Sequence, residues 1–237
     1  MLSSVIIVFL FCINGNAQIQ TGVKAGANFS WFTNAIDPFA PHSEYYDDYR
    51  GFKKHFRIGI HGGFFAIFNN SGPFAFGAEI LYSSRGAMHR IKNTNVTLID
   101  NDGEWQSAFD TYTYKLDYLE FPLLIQYNSN TKLNTGFSFY AGVSPAIAVN
   151  KKRVYRYYDA SGYVTSSDRL KQKKELQHLR NFNLFPLAGV KIGGRNGFGD
   201  LRASYPFFPV FNRSKNTDGS NLSTRMWTIG ASAGIYF

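Results

Sequence analysis

Apolar side chains recur at every second position in segments of about ten residues, and short turns alternate with long polar stretches between them. Period two marks a strand with two unlike faces, because successive side chains leave a strand on opposite sides. From Gly22 to Phe32 the row Val23, Ala25, Ala27, Phe29 and Trp31 alternates with Lys24, Gly26, Asn28 and Ser30. From Phe56 to Phe68 the row Phe56, Ile58, Ile60, Phe64 and Phe68 alternates with Arg57, Gly59, His61 and Gly63. After the turn Asn69-Asn70-Ser71-Gly72-Pro73, Phe74, Phe76, Ala78, Ile80 and Tyr82 share one face, while Glu79, Ser83 and Arg85 share the other.

A fourth segment, Thr111 to Tyr127, shows a change of phase. Tyr112, Tyr114, Leu116 and Tyr118 read as one outward row, which Leu119, Phe121, Leu123 and Ile125 then continue; two adjacent outward residues predict a β-bulge at Tyr118-Leu119. Further rows are Phe137, Phe139, Ala141, Val143; then Phe182 to Ile192; then Leu201, Ala203, Tyr205; and finally Trp227, Ile229, Ala231, Ala233, Ile235 and Phe237. Links near 69–73, 128–134 and 194–197 are short, and those near 33–55, 88–110, 150–178 and 207–223 are long and polar. Eight segments with this asymmetry predict an all-β fold, an eight-stranded antiparallel up-and-down transmembrane β-barrel. Both termini then face the periplasm, the long loops face outward, and Phe237 ends the closing strand. Pro122, Pro145, Pro186 and Pro206 are expected at bulges or strand ends, since proline cannot donate to a ladder. A soluble barrel or sandwich is the competing architecture.

Residues 1–17 read as a signal peptide that is removed, leaving residues 18–237 as one barrel domain. Val5 to Ile13 is apolar, and Gly15-Asn16-Ala17 supplies a small residue before Gln18. The run is too short for a membrane helix, which needs about 20 residues. Cys12 follows Phe11, where a lipoprotein signal wants a small side chain, so cleavage after Ala17 leaves a mature chain without cysteine, disulfide or thiol chemistry. A net charge of +9 suits nucleic acid, but an exported chain does not meet it. The expected partners are outer-membrane lipid and lipopolysaccharide, a protein or acidic glycan at the extracellular loops, and the barrel-assembly machinery.

Ala78-Glu79-Ile80-Leu81-Tyr82-Ser83-Ser84-Arg85-Gly86-Ala87 and Leu116-Asp117-Tyr118-Leu119-Glu120-Phe121-Pro122-Leu123-Leu124-Ile125-Gln126-Tyr127 resemble paired segments of the PorT-like outer-membrane β-barrel family of Bacteroidota. Gly22 to Asn28, the closing Gly234-Ile235-Tyr236-Phe237 and the Ala17-Gln18 boundary are also similar. The resemblance implies the barrel fold and the outer membrane of a Gram-negative bacterium. It implies no shared catalytic residues, and a role in secretion does not transfer with a fold.

The inward rows supply Lys24, Arg57, His61, Glu79, Arg85, Glu120, Lys191 and Arg202, together with Asn28 and Gln126. The interior of an eight-stranded barrel is just wide enough for side chains to fill, so these charges are expected to pair into a plug. A narrow gated pore is the alternative. His61 and Glu79, on strands joined by one hairpin, could form an acid–base pair, but no nucleophile accompanies them and no catalytic residue is assigned. Asp100-Asn101-Asp102-Gly103-Glu104 lacks the spacing of a calcium loop and reads as a solvated turn, so no metal and no cofactor is expected. The stretch from Asn150 to Arg180 carries Lys151, Lys152, Arg153, Arg156, Lys171, Lys173 and Lys174, interleaved with tyrosines. It is read as a cationic loop surface for anionic partners. The function expected is non-enzymatic, structural or adhesive, exerted through the loops; the alternative is a narrow channel or a small-solute or lipid transporter.

Overall fold

Eleven strands account for most of the residues described by the computed structural model, which are 18–33, 53–69, 72–99, 102–129, 135–158, 162–165, 168–176, 179–194, 196–211 and 224–237. They are β1 (Gln18–Phe32), β2 (Lys53–Asn69), β3 (Phe74–Ile99), β4 (Trp105–Glu120), β5 (Leu123–Asn128), β6 (Thr135–Tyr158), β7 (Gly162–Val164), β8 (Arg169–Glu175), β9 (Phe182–Gly194), β10 (Gly197–Ser204) and β11 (Met226–Tyr236). The expected signal segment and the loops around Tyr46, Asn101 and Asp218 lie outside the described residues.

The pairing returns to its starting point. β1 pairs with β2, β2 with β3, β3 with β4 and β5, these two with β6, then β9, β10 and β11, and β11 returns to β1, every step antiparallel. β4 and β5 pair with the same two neighbours on either side of Phe121-Pro122, so they are one strand interrupted where proline has no N–H to give. The ring therefore passes through eight strand positions. Pro145 and Pro186 lie within β6 and β9, and the carbonyls of Pro122, Pro145 and Pro186 accept from Glu79, Phe121 and Tyr205, at 3.0, 2.9 and 3.2 Å.

Two expectations are corrected. Tyr112, Tyr114, Leu116 and Tyr118 point into the ring, with at most 2% of their surface exposed, and Glu120 continues the same row. β4 has no change of phase. The irregularity is on its partner: Tyr118 faces Ala148 and Asp117 faces Asn150, so Val149 of β6 is the extra residue. The row looked lipid-facing because it is apolar, but it faces an apolar interior. The second correction concerns the long links. β3 and β4 remain paired up to Ile99 and Trp105, and β6 continues to Tyr158 with β8 along its edge, so most of 88–110 and 150–178 is strand rather than loop.

Gly86, within β3, holds a backbone conformation that favours glycine. Its φ of +146° lies in a region that L side chains rarely adopt, a Cβ there would run into the Tyr114 carbonyl, and its N–H donates to Ser30 Oγ at 2.8 Å.

The interior is layered. Towards the long links, Phe32, Tyr112, Tyr114, Leu116, Tyr118, Phe185, Phe211 and Met226 form an apolar cluster. Towards the short turns, Phe65, Ile67, Ala75 and Phe198 form a second, with Tyr236 against it. The charged side chains lie between them.

Candidate functional site

The middle layer is built by parity. Lys24 of β1, Glu79 of β3 and Asp200 and Arg202 of β10 all fall on inward positions, and their side chains meet across the ring. Lys24 Nζ lies 2.8 Å from Glu79 Oε1 and 3.3 Å from Asp200 Oδ2. Arg202 Nη2 reaches Glu79 Oε2 at 2.9 Å and Asp200 Oδ2 at 3.7 Å. Asp200 also accepts from the Tyr140 hydroxyl and, at 3.2 Å, from Ser232 Oγ. Two cations and two carboxylates thus satisfy one another where water is scarce, the condition for charges to persist in an interior.

A second cluster lies nearer the tyrosines. The Arg85 guanidinium stands 2.7 and 2.8 Å from the two Glu120 oxygens, donates to Ser83 and Ser204 at 3.1 Å each, and covers the Phe185 ring at 4.4 Å. Both of its planar edges and one face are engaged, a fit that lysine's single ammonium could not reproduce.

The remaining interior candidates are placed otherwise. Among the described residues Lys191 joins no carboxylate: its ammonium lies 4.4 Å from the Phe198 ring centre, with Phe65 and Tyr140 at about 6 Å, and donates to Gln126 Oε1 at 3.3 Å. Arg57 donates to the Arg85 carbonyl and to Ser84 Oγ at 2.9 Å, and reaches Asp117 only through that serine, whose hydroxyl donates to Asp117 Oδ1 at 2.6 Å. His61 lies opposite Ser83, whereas Glu79 lies opposite Phe65, four residues further along β2, so the acid–base pair considered for them does not form. His61 instead lines a cavity of about 10 Å³ with Asn28, Ser83, Arg85, Glu120 and Arg202, room for about one water.

Asp200 and Tyr140 were missed in the sequence. Counting back two from Arg202 would have found Asp200, but the rows of the seventh strand were read only from Leu201 onward and the inward row was cut short.

The outer surface has two zones. Ile58, Ile60, Phe64, Phe76, Ile80, Ile125, Phe139, Ile147, Phe182, Leu201, Ile229 and Ile235 are all at least 40% exposed, an apolar belt far more continuous than water-facing sheets carry. Beyond it, β3, β4, β6 and β8 continue as a polar sheet. Directly opposed residues share a face, so Lys115 of β4, Lys152 and Arg156 of β6 and Lys171 and Lys173 of β8 fall on the face that continues the belt. Lys151, Arg153 and Lys174 fall on the opposite face, with Tyr155 stacked between Tyr112 at 4.3 Å and Tyr157 at 4.4 Å. The seven cations of the expected loop surface are thus divided between two faces.

A sheet closed on itself, apolar outside and charged within, defines a class of membrane-embedded β proteins. A family model for the outer membrane protein β-barrel domain matches residues 15–212, and the chain belongs to that family. Its place is the outer membrane. No curated protein sequence matches the chain significantly. Among solved structures it is similar to the attachment invasion locus protein Ail of Yersinia pestis (11% identity, TM-score 0.40, 92% of this chain and 98% of that one). It is similar also to Neisserial surface protein A (12%, 0.40, 92% and 97%) and to OprG of Pseudomonas aeruginosa (10%, 0.37, 92% and 94%).

Proposed function

We propose that this chain is an eight-stranded transmembrane β-barrel of a Gram-negative outer membrane, closed to ions, that works through the cationic sheet and loops beyond its apolar belt. The supporting observation is the layered interior: paired charges lie between two aromatic clusters, and the cavity beside His61 holds about 10 Å³. A continuous aqueous path would need polar residues in file from end to end, and Tyr112, Tyr114, Leu116 and Tyr118 interrupt any such file. The role is structural or adhesive and non-catalytic, and the lumen network of Lys24, Glu79, Asp200 and Arg202 serves to pin strand register. Residues 1–17 act as the export signal, the termini face the periplasm, and the barrel-assembly machinery inserts the chain. The resemblance of Ala78–Ala87 and Leu116–Tyr127 to the PorT-like barrels of Bacteroidota supports placing it in that branch.

Purified protein in planar bilayers is expected to give no discrete conductance steps at 100 mV in 1 M KCl. Reproducible unitary steps would establish the channel reading instead. Single cysteines at residues 71 and 162, tested on intact cells with a membrane-impermeant maleimide, should label at 162 and stay unlabelled at 71. The reverse pattern would invert the topology.

A further inference from the structure

The outer face of the β4–β6–β8 sheet changes character within a few residues. Leu119, Ile147 and Val149 belong to the apolar belt, and Ile147 and Val149 are exposed. Next come Asp117 and Asn150, bonded to each other at 2.7 Å, and Asp117 is further occupied by Ser84. Then come Lys115 opposite Lys152, Lys173 opposite Val154, and Arg156 between Thr111 and Lys171. At about 3.3 Å per residue, Lys115 stands ~13 Å along the strand above Leu119. Cations at that height meet the boundary where hydrocarbon gives way to headgroups, not open water. On this face β8 contributes one carboxylate, Glu175, set opposite Lys152. At the foot of β8 a cleft of about 290 Å³ opens beside the bulged Val149, lined by Lys151, Lys152, Lys173 and Lys174 among others.

We infer that this cleft and the adjoining cationic row bind the phosphate groups of a phosphorylated glycolipid in the outer leaflet. The inference rests on the membrane-spanning reading above and adds its ligand. Three features carry it. Lys115, Lys152, Arg156, Lys171 and Lys173 share one face, and Lys151 and Lys174 reach the cleft from the other. The first five directly continue a surface that touches lipid chains. And the cleft has exposed Val149 at one end and four lysines against one carboxylate, Glu175, with Asn150 completing the lining, which suits a molecule with acyl chains below and phosphate above. Point-charge ammonium groups on flexible stems suit phosphate that approaches from a fluid leaflet, where basic residues near an anionic lipid surface attract it.

The test uses the full chain in uncharged detergent micelles, titrated with lipid A bearing both phosphates and with the same lipid after phosphatase treatment, and read by native mass spectrometry. The bisphosphorylated lipid should bind at least about tenfold more tightly than the dephosphorylated one, and Lys152→Gln with Lys173→Gln should remove about tenfold of that affinity. A charge-matched pair away from the cleft, Arg153→Gln with Arg180→Gln, should change it less than about threefold. Equal binding of the two lipids, or equal losses in both variant pairs, would overturn the inference. So would a soluble sulfated oligosaccharide that binds as tightly as the lipid and loses its binding to the same Lys152/Lys173 change, which would reassign the face to a glycan. Each protein is also run unheated and heated on a gel: if the parent shows no heat-modifiable migration the barrel reading itself fails, whereas normal migration with phosphate-independent binding removes only the ligand.

Discussion

Glu79→Met is expected to cost about 3–5 kcal/mol of stability, the usual result of leaving buried charge uncompensated. Glu79 is the shared acceptor for Lys24 at 2.8 Å and Arg202 at 2.9 Å, and its side chain is almost completely enclosed. Without it the two cations face each other with Asp200 as the remaining partner, at 3.3 and 3.7 Å. Lys24→Met added to Glu79→Met restores one anion to one cation, so the double variant should recover at least about half of the loss; a pair removed together costs far less than one partner removed alone. The measurement is urea unfolding of the refolded protein in lipid vesicles, followed by tryptophan fluorescence and gel migration. If the double variant were no more stable than Glu79→Met, the loss would come from packing rather than from unpaired charge.

The alternating rows were legible because a strand that separates an apolar exterior from a charged interior must alternate, and Lys24, Glu79 and Arg202 stand against apolar neighbours without ambiguity. The reading failed where that contrast vanishes. At Tyr112 to Tyr118 the interior is itself apolar, so apolarity no longer tells outside from inside, and the row was turned the wrong way. Beyond Gly86, residues such as Lys92, Asn93 and Thr94 continue β3 with no apolar outer row, and a strand without that row looks like a loop. The cationic surface was visible as a composition, but only pairing shows that Lys152, Arg156, Lys171 and Lys173 share a face that Arg153 and Lys174 do not. Asp200 belongs to a third kind of omission: the parity was right, but the rows were read only from Leu201, four residues into β10.

Gly26→Val is expected to abolish closure of the ring. β1 and β11 meet over eleven residue pairs, from Gly22–Tyr236 to Phe32–Met226, and Gly26 lies opposite Ser232 near the middle of that seam. A Cβ at residue 26 would collide with the Ala231 carbonyl and the Ser232 backbone, and valine adds two methyl groups beyond it. The strands must then separate at the centre of the seam, where each unpaired N–H or carbonyl placed in hydrocarbon costs several kcal/mol. Ala25→Val is the control: Ala25 points outward and is exposed, and a β-branched residue suits a strand face in contact with lipid. Removing Phe237 should fall between the two. The residue is 77% exposed and its N–H makes one seam bond, to Thr21 at 2.9 Å, so the folded ring loses little, and any larger effect in cells would come from the insertion step proposed above. The three proteins should therefore separate in two assays. In vesicles refolded from urea, Ala25→Val and the Phe237 deletion reach the heat-modifiable form and Gly26→Val does not. In cells, the membrane-inserted fraction of the deletion falls several-fold while Ala25→Val matches the parent. A heat-modifiable Gly26→Val protein would mean that the β1–β11 seam is not what closes this fold.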